Sequence, residues 1–497
     1  MDINVLRDVD VRLRDGLRTK AEVWLPSDGE PHPAILVRTP YLKECAAPTA
    51  TVDARQATSR GYAVVLQDVR GCGGSEGTFY PFATEEADGF DSVGWVAEQP
   101  WCNGEVVMAG SSYVGATQWL AAASAPPSLK AIAPTLSSDE YGEGWSYRAG
   151  VPELGFLTTW SVAGLVPEKD RMLDDPTKSF DDVGSAQAVA PWLHDWLANG
   201  PGSPYWREYS VAHRRHEITL PVLVVAGWYD VFLAASLRAF ARSVNRSDRL
   251  IVGPWAHTET LSHLVGVGNV GIAGLGDNVF GWMLDFYDAV LGGRSPGSSR
   301  VRAYLLGAQR WVDLECWPPP DGGQLEVAID PGSFAVRPTM PVPALGGRAL
   351  LVQVPGWGYG IADQRPLLDR DDVHRAASIA VAQDTIFAGP VTADLVTSAE
   401  GVVGSSAYWV ATLCLEQPGG ALHNVAEGVV RTALTAEQAQ VDLGDVFLEA
   451  PAGSTLVLLV AGSSFPRWPK PVSELRQRVL AGSKLTMTTA PGAAVGW

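Results

Sequence analysis

Long apolar runs are missing from this sequence. No stretch of its 497 residues approaches the roughly 18 consecutive apolar positions that a membrane helix needs. Cysteine is scarce as well. The five present (Cys45, Cys72, Cys102, Cys316 and Cys414) are odd in number, scattered and never spaced C-x-x-C, which argues against a disulfide framework or a zinc site. Basic charge is also short: 37 Lys and Arg face 55 Asp and Glu, for a formal net charge of -18, whereas nucleic acid demands a concentrated basic surface. The nearest approach to one, His213-Arg214-Arg215-His216, reads as an ordinary solvated turn. Met1 to Arg18 is charged throughout and lacks an apolar h-region, so no secretory signal is expected. No H-E-x-x-H or clustered histidine pair suggests a catalytic metal. These absences favour a reduced, cytoplasmic protein that acts on a small molecule, without cofactor, metal, nucleic-acid or membrane partner. A homodimer stays open.

The remaining composition, 46% hydrophobic and 19% charged, is that of a globular chain, and the length suggests two to four domains. The opening alternates apolar and polar residues around an Asp15-Gly16 turn, which predicts an antiparallel hairpin. Short continuous apolar runs follow: Ala34–Val37, Ala63–Leu66, Val106–Ala109, Ala131–Ala133, Val222–Val225 and Leu250–Val252. Such runs suit strands covered on both faces, and helix-like segments such as Thr84 to Gln99 and Tyr113 to Ala125 lie between them. The alternation predicts a doubly wound α/β domain. From about Ser137 to Glu217 the rhythm breaks into a segment rich in Trp, Gly and Pro, read as a helical insertion over the sheet's active edge. From Val301 onward, short alternating segments such as Val301–Leu306 and Thr455–Val460 predict a β-sandwich or jelly roll. The expected boundaries are 1–136 and 218–298 for the α/β domain, 137–217 for the cap, and 299–497 for the β domain.

Ser112 stands between a predicted strand and a predicted helix in Met108-Ala109-Gly110-Ser111-Ser112-Tyr113-Val114-Gly115. That is the place of a nucleophile elbow, where a glycine permits the tight turn and the serine is pushed out above the sheet. The second glycine is displaced by one from the strict G-x-S-x-G spacing. Ser111 is a competing nucleophile, although only Ser112 follows Gly110 by two. Asp230 follows the strand Val222–Val225, and His257 follows Leu250–Val252. Strand ends of a parallel sheet share one edge, so the three can converge there, in the Ser, Asp, His order used by this architecture. Two oxyanion donors are expected: the backbone N–H of Tyr113, and the loop Arg38–Lys43, where Tyr41 offers a phenol O–H. The Gly71–Gly77 loop lacks the Lys-Ser/Thr ending of a P-loop and reads as a structural turn held by Asp68 and Arg70.

Several blocks occur together in order: Arg38-Thr39-Pro40-Tyr41, Asp68 to Gly77, Gln99 to Gly104, Gly110 to Gly115, Gly227-Trp228-Tyr229-Asp230 and Gly253-Pro254-Trp255-Ala256-His257. As a set they resemble the cocaine esterase-like hydrolases, relatives of the X-prolyl dipeptidyl aminopeptidases and the α-amino acid ester hydrolases. The resemblance continues through Trp311, Trp317-Pro318, Pro341-Val342-Pro343 and Ser463-Ser464-Phe465-Pro466, so it covers nearly the whole chain. It implies an α/β-hydrolase fold with a helical cap and a C-terminal jelly roll. It also implies Ser112 as nucleophile, Asp230 and His257 as its partners, and Tyr41 with the Tyr113 amide as oxyanion donors. In such relatives the displaced glycine is normal. Trp145 and Trp160 would line the acyl side of the pocket, joined by Phe232, two residues beyond Asp230. Asp139, Glu140 and Glu143 are the acids that could turn inward to hold an amine. In the β domain, Ser405–Trp409 lacks the acidic residues that relatives usually carry there. The expected activity is cleavage of an ester or amide through an acyl-enzyme. The alternatives are transfer of the acyl group to another acceptor, an X-prolyl or α-amino acid ester specificity, and a non-catalytic binding protein.

Overall fold

A computed structural model describes residues 3–44, 52–161, 190–257, 262–275, 279–297, 299–350 and 358–490. In chain order the strands of its first part are β1 (Ile3–Arg12), β2 (Arg18–Pro26), β3 (His32–Thr39), β4 (Ala63–Asp68), β5 (Cys102–Ser111) and β6 (Leu129–Thr135). A small hairpin of two two-residue strands, β7 (Tyr147–Arg148) and β8 (Val151–Pro152), separates these from β9 (Leu223–Tyr229) and β10 (Arg249–Ala256). A second small hairpin, β11 (Leu264–Val265) and β12 (Gly268–Asn269), precedes β13 (Val301–Leu305) and β14 (Arg310–Leu314).

Ten of these strands form one sheet in the order β1-β2-β4-β3-β5-β6-β9-β10-β13-β14. Its centre, from β4 to β13, is parallel, while β1, β2 and β14 add antiparallel edges. The apolar runs explain the centre, since every residue of β4, β9 and β10 is buried. Successive residues face opposite sides. Ile35, Val64, Val107 and Ala131 meet Met283 and Tyr287, whereas Leu36, Val65, Met108 and Ile132 join Val93, Trp119, Leu120 and Phe240. The helices of this part in chain order are α1 (Ala54–Ser59), α2 (Glu85–Ala97), α3 (Tyr113–Ala123), then α4 (Leu154–Thr159), α5 (Pro191–Ala198) and α6 (Pro204–Tyr209) between β6 and β9, and α7 (Leu233–Ala241) and α8 (Val279–Leu291). α1 and α8 cover the first face; α2, α3 and α7 cover the second. Each fully buried Val, Leu or Ile there contributes roughly 1.5–3 kcal/mol.

Two of the sequence expectations need correction. Val301–Leu305, read from its alternation as the start of the β domain, is a strand of the large sheet and pairs in parallel with β10. Of its five residues only Arg302 is partly exposed, and so short a stretch suits a strand of the large sheet as well as a sandwich strand. Arg215 is not solvated: it is buried and pairs with Asp248 at 2.9 Å, while Arg214 binds Glu86 at 2.6 Å. Both counter-ions lie far away in sequence, which a local reading of the charge run cannot see.

The rest of the chain is antiparallel. One sheet joins β15 (Gly323–Ala328), β16 (Gly332–Val336), β18 (Thr385–Gly401), β21 (Gln438–Ala450), β23 (Leu475–Val479) and β24 (Lys484–Thr489). The other joins β17 (Val373–Ala380), β19 (Ser406–Glu416), β20 (Leu422–Ala433) and β22 (Thr455–Ala461). Val391, Ala393 and Leu395 of the first sheet share a core with Trp409, Leu413 and Leu458 of the second. No helix among the described residues is long and apolar enough to cross a membrane.

Candidate active site

The turn between β5 and α3 is strained at one residue. Ser112 has φ 61 and ψ -126, a conformation that non-glycine residues rarely hold unless their surroundings impose it. Those surroundings are visible. The Ser112 N–H donates to Thr135 O at 2.9 Å, and its carbonyl accepts from Ser137 Oγ at 2.7 Å. Gln118 donates to Gly110 O at 3.0 Å and accepts from the Ala133 N–H at 2.9 Å, tying the elbow to β6. Gly110 has φ +130, and a Cβ there would stand 2.2 Å from Val114 Cγ1. At Gly115 a Cβ would stand 2.5 Å from Ser137 Cβ. The second close approach therefore falls at position 115, which explains the displaced glycine, while position 114 carries a valine buried in the core.

The parallel register brings the sheet's carboxyl edge together. Ser112 Oγ is 2.9 Å from His257 Nε2, and His257 Nδ1 is 2.6 Å from Asp230 Oδ2. Asp230 is fully buried, and its other oxygen accepts from the Phe232 N–H at 2.8 Å. A carboxylate facing Nδ1 fixes the proton on that nitrogen and leaves Nε2 to accept from the serine hydroxyl. Ser111, the alternative, remains in the β5–β6 ladder opposite Thr135.

Tyr41 approaches the same point from the loop after β3. Its hydroxyl accepts from Trp160 Nε1 at 2.9 Å and lies against the Ser112 side chain and the Tyr113 amide. The ring is half-buried, but the oxygen is at its enclosed end. Burial pushes the phenol up to about 12, with the hydrogen bonds to Trp160 and Ser112 acting the other way, so the O–H stays protonated. The Tyr113 N–H is the first of α3, where the helix dipole also favours negative charge.

Around this centre the aromatic side chains form one cluster. Phe232 and His257 pack T-shaped, ring centroids 5.3 Å apart, and Phe232 stacks on Trp145 at 4.4 Å. Trp145 meets Trp160 at 5.4 Å. Among the members that escaped the sequence reading are Phe156, 5.5 Å from Phe232, and Trp196, stacked on Trp160 at 5.7 Å. Phe156 was legible in principle, since it stands one helical turn before Trp160. Trp196 was not, because it arrives from α5. Arg38 was also missed. It pairs with buried Glu85 at 2.9 Å, and Glu85 accepts from the Tyr113 hydroxyl at 2.9 Å, so the pair anchors the residue after the elbow. An arginine closing an apolar strand run was the available signal.

The three acids before Trp145 are engaged elsewhere. Asp139 and Glu140 pair with Arg242 at 3.2 and 3.4 Å, and Glu143 accepts the Ala149 N–H at 2.6 Å. Burial, opposed by Arg242, raises Asp139 to about 6. The Gly71–Gly77 loop wraps around Asp68, whose carbonyl accepts from Ser75 Oγ at 2.9 Å, and Arg70 grips Asp88 at 2.7 and 2.9 Å. Among the described residues no group of three or more His, Cys, Asp and Glu converges as a metal site would require. Cys72, Cys102, Cys316 and Cys414 are free thiols.

The chain is similar to known proteins. The family model of the X-Pro dipeptidyl-peptidases (S15 family) matches residues 15–259. The chain is 31% identical to a cocaine esterase of Rhodococcus sp. (strain MB1 Bresler), over 94% of this chain and 92% of that protein. Among solved structures, an α-amino acid ester hydrolase superposes with a TM-score of 0.81 at 19% identity, covering 98% of this chain and 97% of the other. An aminopeptidase from a marine sediment archaeon, Thaumarchaeota archaeon, gives the same TM-score of 0.81 at 19% identity, over 98% and 96%. These superpositions establish an α/β-hydrolase-type fold carrying an additional β domain.

Proposed function

The chain belongs to the cocaine esterase-like family of serine hydrolases and cleaves ester bonds, and we propose that Ser112, His257 and Asp230 carry that reaction. The observation that carries the assignment is the unbroken relay from Ser112 Oγ to His257 Nε2 at 2.9 Å and from His257 Nδ1 to Asp230 at 2.6 Å. His257 takes the hydroxyl proton as Ser112 Oγ attacks the acyl carbon. The imidazolium is held in place by the Asp230 carboxylate. The tetrahedral oxyanion is held by the Tyr41 hydroxyl and the Tyr113 amide; support comes from the Tyr41 hydroxyl lying against both the Ser112 side chain and that amide. His257 then protonates the departing alcohol, leaving an acyl-Ser112. Water, deprotonated by the same imidazole, attacks the ester carbonyl; the carboxylic acid leaves and Ser112 is restored.

The favoured acyl group is neutral and flat. Support comes from Trp145, Trp160 and Phe232 beside His257, and from the prior engagement of Asp139, Glu140 and Glu143 with Arg242 and with backbone amides. An ammonium-bearing acyl group would need a carboxylate that these residues do not supply. The two antiparallel sheets of the C-terminal part are assigned as a jelly roll, with its boundary moved beyond Leu314 because β13 and β14 belong to the large sheet. The free thiols are compatible with a reducing, cytoplasmic setting. The deciding experiment compares kcat/KM for benzoyl or phenylacetyl esters with matched phenylglycine esters, adding a competing alcohol in a second series. Preference for the uncharged esters with free acid as product supports the reading. A strong preference for the amino-bearing ester overturns the acyl assignment, and ester product formed with the added alcohol identifies a transferase.

A further inference from the structure

Asp230 stands in a five-residue segment, Trp228 to Phe232, that no β-ladder continues beyond Tyr229. Two backbone carbonyls of this segment, one on each side of Asp230, are gripped by arginines from outside the α/β domain. Arg348 of the β domain donates through Nε to Trp228 O at 3.1 Å, and its other nitrogens donate to Leu443 O at 2.7 Å and Asp445 O at 2.6 Å. Arg148 of the cap donates through Nη2 to Val231 O at 3.1 Å and through Nε to Glu153 at 2.8 Å. The two arginines are joined by buried charges of alternating sign. Glu153 pairs with Arg467 at 3.3 Å, Arg467 pairs with Glu427, and Glu427 accepts the backbone N–H of Arg348 at 2.7 Å. Arg348, Arg467, Glu153 and Glu427 are all buried.

We infer that Arg148 and Arg348 are positioning residues that hold the Asp230 carboxylate in register with His257, so that the docking of cap and β domain is felt at the reaction centre. The inference rests on the triad reading above. Its physical basis is the cost of such a network. Burying two guanidinium groups and two carboxylates, with the Arg148 guanidinium partly covered beside them, gains little stability over apolar packing of the same volume. What the ions add is direction. Arg348 fixes Trp228 O, Arg148 fixes Val231 O, and the carboxylate between them is anchored within the same segment by the Phe232 N–H. A shift of either carbonyl displaces Asp230, and through it the imidazole that must reach Ser112 Oγ. Neither arginine touches the reacting atoms.

The test is a double-mutant cycle with purified Arg148→Met, Arg348→Met, their lysine counterparts, and Asp230→Asn. For each variant kcat is expressed per site titrated with a fluorophosphonate, and KM is measured on the same neutral ester. In the wild-type background each methionine variant should lose roughly 10- to 100-fold in kcat, the scale of a misplaced catalytic group, with KM within about twofold. Lysine should restore part of the loss. In the Asp230→Asn background the same replacements should change kcat by less than about twofold, because their effect has already been removed. Unchanged kcat per site, or the same loss in both backgrounds, overturns the positioning role. If Arg348→Met does not fold, Arg148→Met decides, since it leaves Glu153 paired with Arg467. Wild-type kcat in Asp230→Asn alone would instead overturn the triad reading, and the inference with it.

Discussion

Replacing Tyr41 by Phe removes one hydroxyl from the reaction centre and little else. A tyrosine hydroxyl has a single hydrogen to donate. Since Trp160 Nε1 already donates to this oxygen at 2.9 Å, the Tyr41 hydrogen is left for the Ser112 side, where the oxyanion forms. Loss of one such preorganised donor costs about 2.7–4 kcal/mol of transition-state stabilisation, so kcat should fall by roughly 10²- to 10³-fold. KM should hardly move, because the charge exists only in the transition state. The replacement also leaves the Trp160 N–H without its acceptor, a loss of about 1–3 kcal/mol in unfolding free energy. Burial pushes the phenol up to about 12, so the ratio of wild-type to variant kcat should stay flat from about pH 6 to 10. Steady-state hydrolysis of a p-nitrophenyl ester, with titrated active sites and urea unfolding in parallel, measures all of these quantities. A variant that loses only substrate affinity, or keeps kcat within about threefold, would refute the oxyanion role and place Tyr41 in the binding pocket.

Other replacements probe separate parts of the argument. Ser112→Ala should lose on the order of 10⁴- to 10⁶-fold in kcat and all fluorophosphonate labelling while keeping its circular dichroism; near-normal activity would redirect attention to Ser111. Gly115→Ala should lower both stability and kcat, the former by about 1–3 kcal/mol, because the new Cβ would stand 2.5 Å from Ser137 Cβ and disturb the hydrogen bond to Ser112 O; a crystal structure with the elbow unmoved and kcat intact would contradict this. Asp139 is raised to about 6 in the folded chain, so between about pH 4 and 6 the folded state keeps a proton that the unfolded chain has released. Its contribution to stability is therefore greatest below about pH 4 and is lost as pH rises to 6. Relative to wild type, Asp139→Asn should gain about 3 kcal/mol in unfolding free energy across that window, and a flat or opposite difference would disprove the shift.

Local pattern carried much of this protein in the sequence itself. Continuous apolar runs marked the central strands because a parallel sheet is covered on both faces, so no alternation survives there. The same rule put Ser112, Asp230 and His257 at strand ends, and a parallel sheet leaves such ends little choice but to share an edge. Alternation was less informative. Val301–Leu305, with only Arg302 partly exposed, suits either setting, and only its pairing with Leu250–Val252 assigned it to the large sheet. Contacts formed across distant sequence were beyond reach. The glycine displaced to position 115 acquired its reason from Ser137, the buried Arg215 from Asp248, and the place of Tyr41 from Trp160. The hold of Arg148 and Arg348 on the carbonyls around Asp230 likewise joins three separated parts of the chain. Sequence alone determined which chemical groups the chain owns and at which end of which strand they emerge. Tertiary structure alone decided what each group touches, because hydrogen bonds and ion pairs act over about 3 Å in space, whatever the separation along the chain.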